Sequence, residues 1–270
     1  MPELPEVEIN RRNLERWTLG RTVVGLRTPD NARFDGPASA LMGARFSGWG
    51  RHGKLLHGRL DNGAVLQSHL GMTGQWVADP APERRGVRVV IDLSDGGRPA
   101  RIALVDPRRF GHTAIIPEGD PAALRSLARL GPDALLTPLS PSALGDGFAG
   151  RRTPLKSRLM DQSLIAGLGN IAVIEIAHRA RLHPHVPVRR LATPDLERIV
   201  EAIADHIAYV LDAETGDEIA YLGSAGATNP FICYGREGEP CPGCGAPLSR
   251  GALGGRPSFW CSQCQPLAAS

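Results

Sequence analysis

Four cysteines near the C-terminus stand as Cys241, Cys244, Cys261 and Cys264, two C-x2-C pairs separated by sixteen residues. Each pair places two thiolates on one tight turn, and four soft sulfur donors suit tetrahedral zinc. Gly245, directly after Cys244, fits such a turn. The motif has no histidine and no open ligand position, so the expected ion is one structural zinc rather than a catalytic one. Paired disulfides are the competing reading, disfavoured in a cytosolic chain. Cys233 stands apart between Ile232 and Tyr234 and reads as a buried thiol.

The opposite end carries a second kind of chemistry. The chain opens MPELPEVEIN. Removal of Met1 would leave Pro2 with a secondary α-amine, part of it unprotonated near neutral pH. Such an amine can attack an aldehydic or acetal carbon and form an iminium ion, as lysine does in Schiff-base enzymes. Glu3 beside it could carry protons. Taken alone, the same residues also read as an ordinary helix start, which favours proline and acids. Of 31 basic residues only Lys54 and Lys156 are lysine. Arginine stays protonated, so a position that must release a proton can use lysine and not arginine.

These residues need elements to hold them. Residues 4–16 carry apolar side chains at helical spacing, with Pro2 and Pro5 at the start and Gly20 beyond the end. From Thr22 to Pro117 the chain reads as short strands: TVVGLR, KLLHGRL, AVLQSHL, VRVVIDL and ARIALVD. Asp61-Asn62-Gly63 and Ser94-Asp95-Gly96-Gly97 between them are hairpin turn signals, so a sandwich or barrel is expected. Residues 137–150 read as a linker, Leu196 to Leu211 as an amphipathic helix, and 216–236 as loop. In the tail, Leu253-Gly254-Gly255-Arg256 reads as a two-stranded ribbon with an arginine near its turn. That device suits contact with a phosphate or a groove, although Arg250 and Arg256 also read as plain surface arginines.

The chain has 270 residues, room for two ordinary domains. Its net charge of +3 is too mild to indicate nucleic acid by itself. No run approaches eighteen apolar residues, so no transmembrane helix is expected, and the absence of a cationic and apolar leader points to the cytoplasm.

MPELPEVE, the lysine of GRHGK, SHLGMTG, DPRRFG, LIAGLGN and the four-cysteine ribbon occur here in one order. Together they resemble the formamidopyrimidine-DNA glycosylase and endonuclease VIII family of base-excision repair enzymes, and MPELPEVE resembles the formamidopyrimidine-DNA glycosylase branch. The likeness runs along nearly the whole chain. It implies an α+β multidomain protein. An N-terminal β-sandwich with flanking helices would occupy residues 1–118, a helix–two-turn–helix DNA-binding domain 119–235, and a zinc-finger hairpin 236–270. It implies a bifunctional glycosylase and abasic-site lyase that removes oxidised bases of the 8-oxoguanine or formamidopyrimidine type. Pro2 would be the nucleophile, Glu3 its acid/base partner and Glu6 a further active-site carboxylate. Lys54 would donate a proton in β-elimination, and Arg256 would serve δ-elimination. Glu8 is read as a solvated helix position. Met72, Arg108 and Phe110 would fill the gap left by an extruded nucleotide, Met and Phe as apolar wedges and Arg as a donor to the orphaned base. Without the resemblance, Met72 and Phe110 would read as core. His69, Arg152, Lys156 and Asn170 would hold the DNA backbone. The implied partner is damaged double-stranded DNA, bound by a monomer with no membrane association, in a bacterial cytoplasm. The same chemistry on oxidised pyrimidines or hydantoins, and a non-enzymatic binder of damaged DNA, are the alternatives.

Three places depart from the family pattern. Ala172 and Ile174 stand where an aromatic and an acid are usual. RRGVR at 84–88, with Gly86 at its centre, lacks a DNA-contacting histidine that Arg85 or Arg88 could replace. The 223–235 loop carries NPF.

Overall fold

The first backbone N–H groups of a helix have no partner within it. Here the opening residues supply one. Glu3 is the N-cap of α1 (Leu4–Thr18), Pro5 lies in its first turn, and the Glu6 carboxylate accepts the Glu3 N–H at 2.7 Å in a capping box. The structure is a computed structural model that describes residues 2–29, 34–94, 100–121, 125–213, 216–219 and 229–267. The chain divides into two compact units, Met1–Arg129 with Glu214–Ala227, and Leu130–Ala213 with Thr228–Ser270.

The first unit is a β-sandwich. Its strands are β1 (Val23–Arg27), β2 (Phe34–Asp35), β3 (Phe46–His52), β4 (Leu55–Leu60), β5 (Val65–His69), β6 (Gln75–Ala78), β7 (Val87–Leu93), β8 (Arg101–Val105) and β9 (His112–Ile116). One sheet runs β1-β7-β8-β6 and the other β2-β9-β5-β4-β3, antiparallel except for the short β2–β9 pair. Alternate residues of each strand face inward. Trp76, Val89, Ile91, Ile102 and Leu104 from one sheet meet Phe46, Trp49, Leu56, Leu66 and Ile115 from the other, and Val7, Leu14 and Trp17 of α1 join the same core. The Asp61-Asn62-Gly63 turn joins β4 to β5 as expected. The expected turn at Ser94-Asp95-Gly96-Gly97 lies between β7 and β8, with all but Ser94 outside the described residues.

The second unit is helical up to its C-terminal ribbon. It holds α2 (Pro141–Phe148), α3 (Leu155–Leu159), α4 (Asn170–Arg179) and α5 (Thr193–Ala213), followed by β10 (Leu248–Leu253) and β11 (Arg256–Cys261). The α5 stripe buries Leu196, Ile199, Ile203, Ile207 and Val210, while Val200 and Leu211 are half-buried. The expected linker at 137–150 is a helix over most of its length. Ser140 caps α2 by accepting the Ala143 N–H at 3.1 Å, Pro141 fits the first turn, and Leu144 and Phe148 are buried. Proline at a first helical position behind a serine is a start signal, and composition alone hid it.

None of the described helices is long and apolar enough to cross a membrane.

Candidate active site and nucleic-acid interface

Pro2 is buried in the chain that retains Met1. Glu3 and Glu6 behind it are 2% and 3% exposed. Burial, and then the neighbouring Glu3 charge, push the Glu6 carboxyl up to about 7, although the Glu3 N–H opposes them. Glu6 is therefore about half protonated at neutral pH, where a carboxyl can both give and take a proton. Glu8 corrects the sequence reading. It is 5% exposed rather than solvated, because Arg11, Arg12 and Arg51 all form ion pairs with it. Helical periodicity shows α1 packing on β3 but not the arginine that β3 brings to it.

Lys54 sits in the two-residue turn between β3 and β4, closed by the His52–Leu55 pair. Gly53 beside it has φ of +56°, which a glycine accepts without strain. Leu55 pairs with His69 on β5, and His69 pairs with His112 on β9. Partial burial, and then the Lys54 and His112 charges, hold the exposed His69 below the usual histidine value. His69 Nδ1 accepts the Gly71 N–H at 3.1 Å. Its remaining proton is thus on Nε2, a neutral donor.

Met72, Arg108 and Phe110 lie on two loops that the fold packs together. Gly71 has φ of +66°, and a Cβ there would stand 2.5 Å from the Gly111 nitrogen. The buried Asp106 carboxylate accepts from the Thr73 hydroxyl and from the Gly111 N–H, each at 2.6 Å. Arg88 Nε donates to the Asp106 carbonyl at 2.9 Å, and the Asp106 N–H donates to the Gly86 carbonyl at 2.7 Å. Phe110 is not core. It is 51% exposed, and the Arg108 guanidinium lies 5.2 Å from its ring centre. Met72 is half-buried. Asp106, the first residue of DPRRFG, thus ties both loops.

The RRGVR departure becomes legible here. Arg88 is buried under the loop, Arg84 is paired with Glu218 through two hydrogen bonds of 2.7 Å, and Arg85 is exposed. Gly86 has φ of +83° and lies against Pro107, so a side chain there would be strained.

In the second unit the structure brings Lys156, Asn170 and Arg256 together. Lys156 is 1% exposed, and its ammonium donates to the carbonyls of Arg256 (3.1 Å) and Pro257 (2.8 Å) and to the Ser258 hydroxyl (2.8 Å). Burial, and then the Arg256 charge, lower it to about 8. Asn170 opens α4 behind the GLG turn, where Gly167 has φ of +110°. Its amide donates to the Pro257 carbonyl at 3.2 Å, while its buried Oδ1 has no partner among the described residues. The Arg256 side chain is exposed beside the Gly254-Gly255 turn, and Arg152 is exposed ahead of α3.

The four ribbon sulfurs lie within 4.8 Å of one another, with Cys241–Cys264 at 3.9 Å and Cys244–Cys261 at 3.4 Å. A tetrahedral ion with zinc–sulfur bonds of about 2.3 Å needs sulfurs about 3.8 Å apart, so this donor set fits zinc. The Gly243 and Cys264 N–H groups point at the Cys241 and Cys261 sulfurs, and His178 Nε2 of α4 lies 3.5 Å from the Cys241 sulfur. Cys233 is buried in the ribbon's apolar cluster, as expected of a packed thiol. Ile174 joins that cluster, which explains an apolar residue at a position where an acid is usual. Glu175 was not singled out from the sequence. Its buried carboxylate accepts the N–H groups of Ile232, Cys233 and Tyr234 at 3.0, 2.9 and 2.8 Å. In NPF, Asn229 accepts the Phe231 N–H, and Phe231 is buried edge-on to Tyr234. Residues 223–228 of that loop lie outside the described residues.

Comparison with known proteins covers all three segments. Residues 1–113 match the formamidopyrimidine-DNA glycosylase N-terminal domain, residues 130–218 the formamidopyrimidine-DNA glycosylase H2TH domain, and residues 238–267 the zinc finger found in FPG and IleRS. The formamidopyrimidine-DNA glycosylase of Thermus thermophilus is 37% identical, with 98% of each chain covered. That of Methylocella silvestris is 38% identical, covering 98% of this chain and all of the relative. The chain belongs to the formamidopyrimidine-DNA glycosylase family. The backbone agrees. The crystal structure of the Thermus thermophilus MutM (Fpg) protein matches with a TM-score of 0.85 and 34% identity, covering 99% of this chain and 100% of that one. The Lactococcus lactis Fpg bound to DNA containing N7-benzyl-Fapy-dG matches with a TM-score of 0.86 and 26% identity, covering 98% and 100%. The chain is accordingly a DNA-binding repair enzyme with a zinc finger, and Cys241, Cys244, Cys261 and Cys264 are clustered to hold one structural zinc.

Proposed function

We propose that this glycosylase removes oxidised purines of the 8-oxoguanine or formamidopyrimidine type from duplex DNA and then cleaves the strand at the resulting abasic site. The observation that carries the reading is the opening of α1, where Pro2 precedes two buried carboxylates, Glu3 and Glu6, in a family-matched N-terminal domain. After Met1 is removed, the Pro2 nitrogen attacks C1′ of the damaged nucleotide. The nitrogen–C1′ bond forms, the C1′–base bond breaks, and the base leaves with a proton that the carboxylates can relay. The sugar ring opens to an iminium, which acidifies the C2′ hydrogen. Loss of that proton expels the 3′ phosphate, and a second elimination expels the 5′ phosphate. Lys54 supplies a proton in the first elimination, and Arg256 serves the second by holding a phosphate.

Met72, Arg108 and Phe110 fill the gap in the stack, while His69, Arg152 and Asn170 hold the backbone; Lys156, expected there from the resemblance, is buried with its ammonium on three protein acceptors and serves instead by fixing the turn that carries Arg256. An exposed aromatic ring already stacked on an arginine supports the first assignment, because neither group needs to leave a core to enter DNA. The enzyme acts as a monomer on damaged double-stranded DNA.

The test is borohydride reduction during turnover, with mass spectrometry of the adduct. A single adduct on Pro2 of a chain lacking Met1 is expected. A zinc-loaded Pro2→Gly variant that traps as well as the parent would overturn the mechanism. A panel of duplexes carrying oxidised purines, oxidised pyrimidines and hydantoins tests the lesion class, with preference for the purines expected.

A further inference from the structure

We infer that Glu8 and Arg51 form a buried strut that sets the position of Lys54 against the start of α1. The inference rests on the reading above, in which Pro2 and Lys54 act in one reaction. Pro2, Glu3 and Glu6 are at the beginning of α1, and Glu8 lies in its next turn. Lys54 is on another element, the tip of the β3–β4 hairpin. Arg51 connects the two. Its Nε donates to Glu8 Oε2 at 3.2 Å, and its Nη1 donates to the Gly53 carbonyl, on the peptide that leads into Lys54, at 2.9 Å. Glu8 is 5% exposed and Arg51 3%. Burial works to raise the Glu8 carboxyl, but Arg11, Arg12 and Arg51 hold it below the ordinary range, so it stays charged.

Stability is a poor explanation for this arrangement. A buried ion pair is on average no more stabilising than apolar residues of the same volume, because both charges must leave water. Geometry is the better one. A guanidinium is planar and permanently charged, so its fork fixes both distance and angle between its acceptors. The hairpin turn has only two residues, and Lys54 has a flexible four-carbon stem. Holding the Gly53–Lys54 peptide removes the freedom at the base of that stem. Arg51 and Glu8 are therefore positioning residues. Arg11 and Arg12 pair with the other oxygen of the same carboxylate, Glu8 Oε1.

The test uses the full zinc-loaded protein on a duplex with a preformed abasic site. Borohydride trapping reads the Pro2 step and strand cleavage reads elimination, with thermal unfolding measured alongside. Arg51→Lys keeps the buried charge but cannot present the fork. Arg51→Met removes the guanidinium and with it the links to Glu8 and Gly53, and Lys54→Met sets the scale for losing the lysine. Arg51→Lys and Arg51→Met should trap near the parental rate and cleave about 10- to 100-fold more slowly, as expected when a reacting group is displaced by about 1 Å. Glu8→Gln should shift cleavage in the same direction. Arg51 variants that cleave like the parent while Lys54→Met does not would overturn the strut. So would variants that lose trapping and cleavage together in proportion to lost thermal stability. A Lys54→Met variant that cleaves normally, or a Pro2→Gly variant that traps, would instead overturn the reading on which the strut rests. If Arg51→Met does not fold, Arg51→Lys carries the test.

Discussion

Glu6 shows how one side chain takes its chemistry from its surroundings. Its carboxyl is raised to about 7, by burial first and by Glu3 second. In an unfolded chain it would titrate near 4.5. The folded form therefore holds its proton more tightly, and the associated stability is present below about 4.5 and lost as pH rises through about 7. Glu6→Gln has no such proton to lose. Its melting temperature should gain on the parent's as pH is raised from about 4.5 to about 7 and then run parallel to it, which calorimetry at a series of pH values checks. A constant difference across that range would show that Glu6 is not buried as described. Phe110 supplies a second residue-scale prediction. It is 51% exposed, so Phe110→Ala should change stability by no more than about 0.5 kcal/mol. If the ring enters the stack, the same substitution should weaken binding to a lesion duplex by about tenfold or more, read by titration of labelled DNA.

At the scale of elements, the C-terminal ribbon is held by more than its metal. Lys156 donates to three acceptors on the start of β11, Asn170 adds a fourth contact, and Glu175 gathers three N–H groups just before the finger. The Arg256 side chain leaves the backbone at the point that Lys156 clamps. Lys156→Met should leave buried acceptors unpaired and cost about 1–3 kcal/mol in unfolding of the zinc-loaded protein. It should also weaken DNA binding in a way that Arg256→Ala largely masks, because both act through one turn; a double-mutant cycle checks this. The 137–150 segment belongs to this scale too. Its serine and prolines read as linker, yet Ser140 and Pro141 start α2, and burial of Leu144 and Phe148 completes it.

For the whole molecule, each compact unit has its own core, one built from the sandwich and α1, the other including the ribbon cluster around the zinc ligands. Chelation should therefore unfold the ribbon and abolish DNA binding while the sandwich stays folded. The tryptophans report this separately, since Trp17, Trp49 and Trp76 are in the sandwich unit and Trp260 is in β11. Trp260 fluorescence should change on metal removal while the near-ultraviolet dichroism of the other three persists. Affinity for DNA should fall steeply with salt, and Arg256→Ala should reduce the slope of log affinity against log salt by about 1, the share of one phosphate contact.

The sequence by itself determined most of the order of elements and marked the four cysteines for zinc, because both depend on local spacing: period two in strands, period 3.6 in helices, paired cysteines on tight turns; its motifs carried the resemblance to the family. It also marked Pro2, Lys54 and Arg256 by type and motif. What it left open is what depends on neighbours distant in the chain. Glu8 reads as solvated until β3 brings Arg51 to it. Phe110 reads as core by residue type alone, and the structure leaves it 51% exposed beside the Gly111 that Asp106 holds. The resemblance assigns Lys156 to the DNA backbone, but β11 places two carbonyls and a hydroxyl on its buried ammonium. In each case the deciding quantity is the burial of a charge or a ring, and burial is set by tertiary contacts that no local pattern encodes.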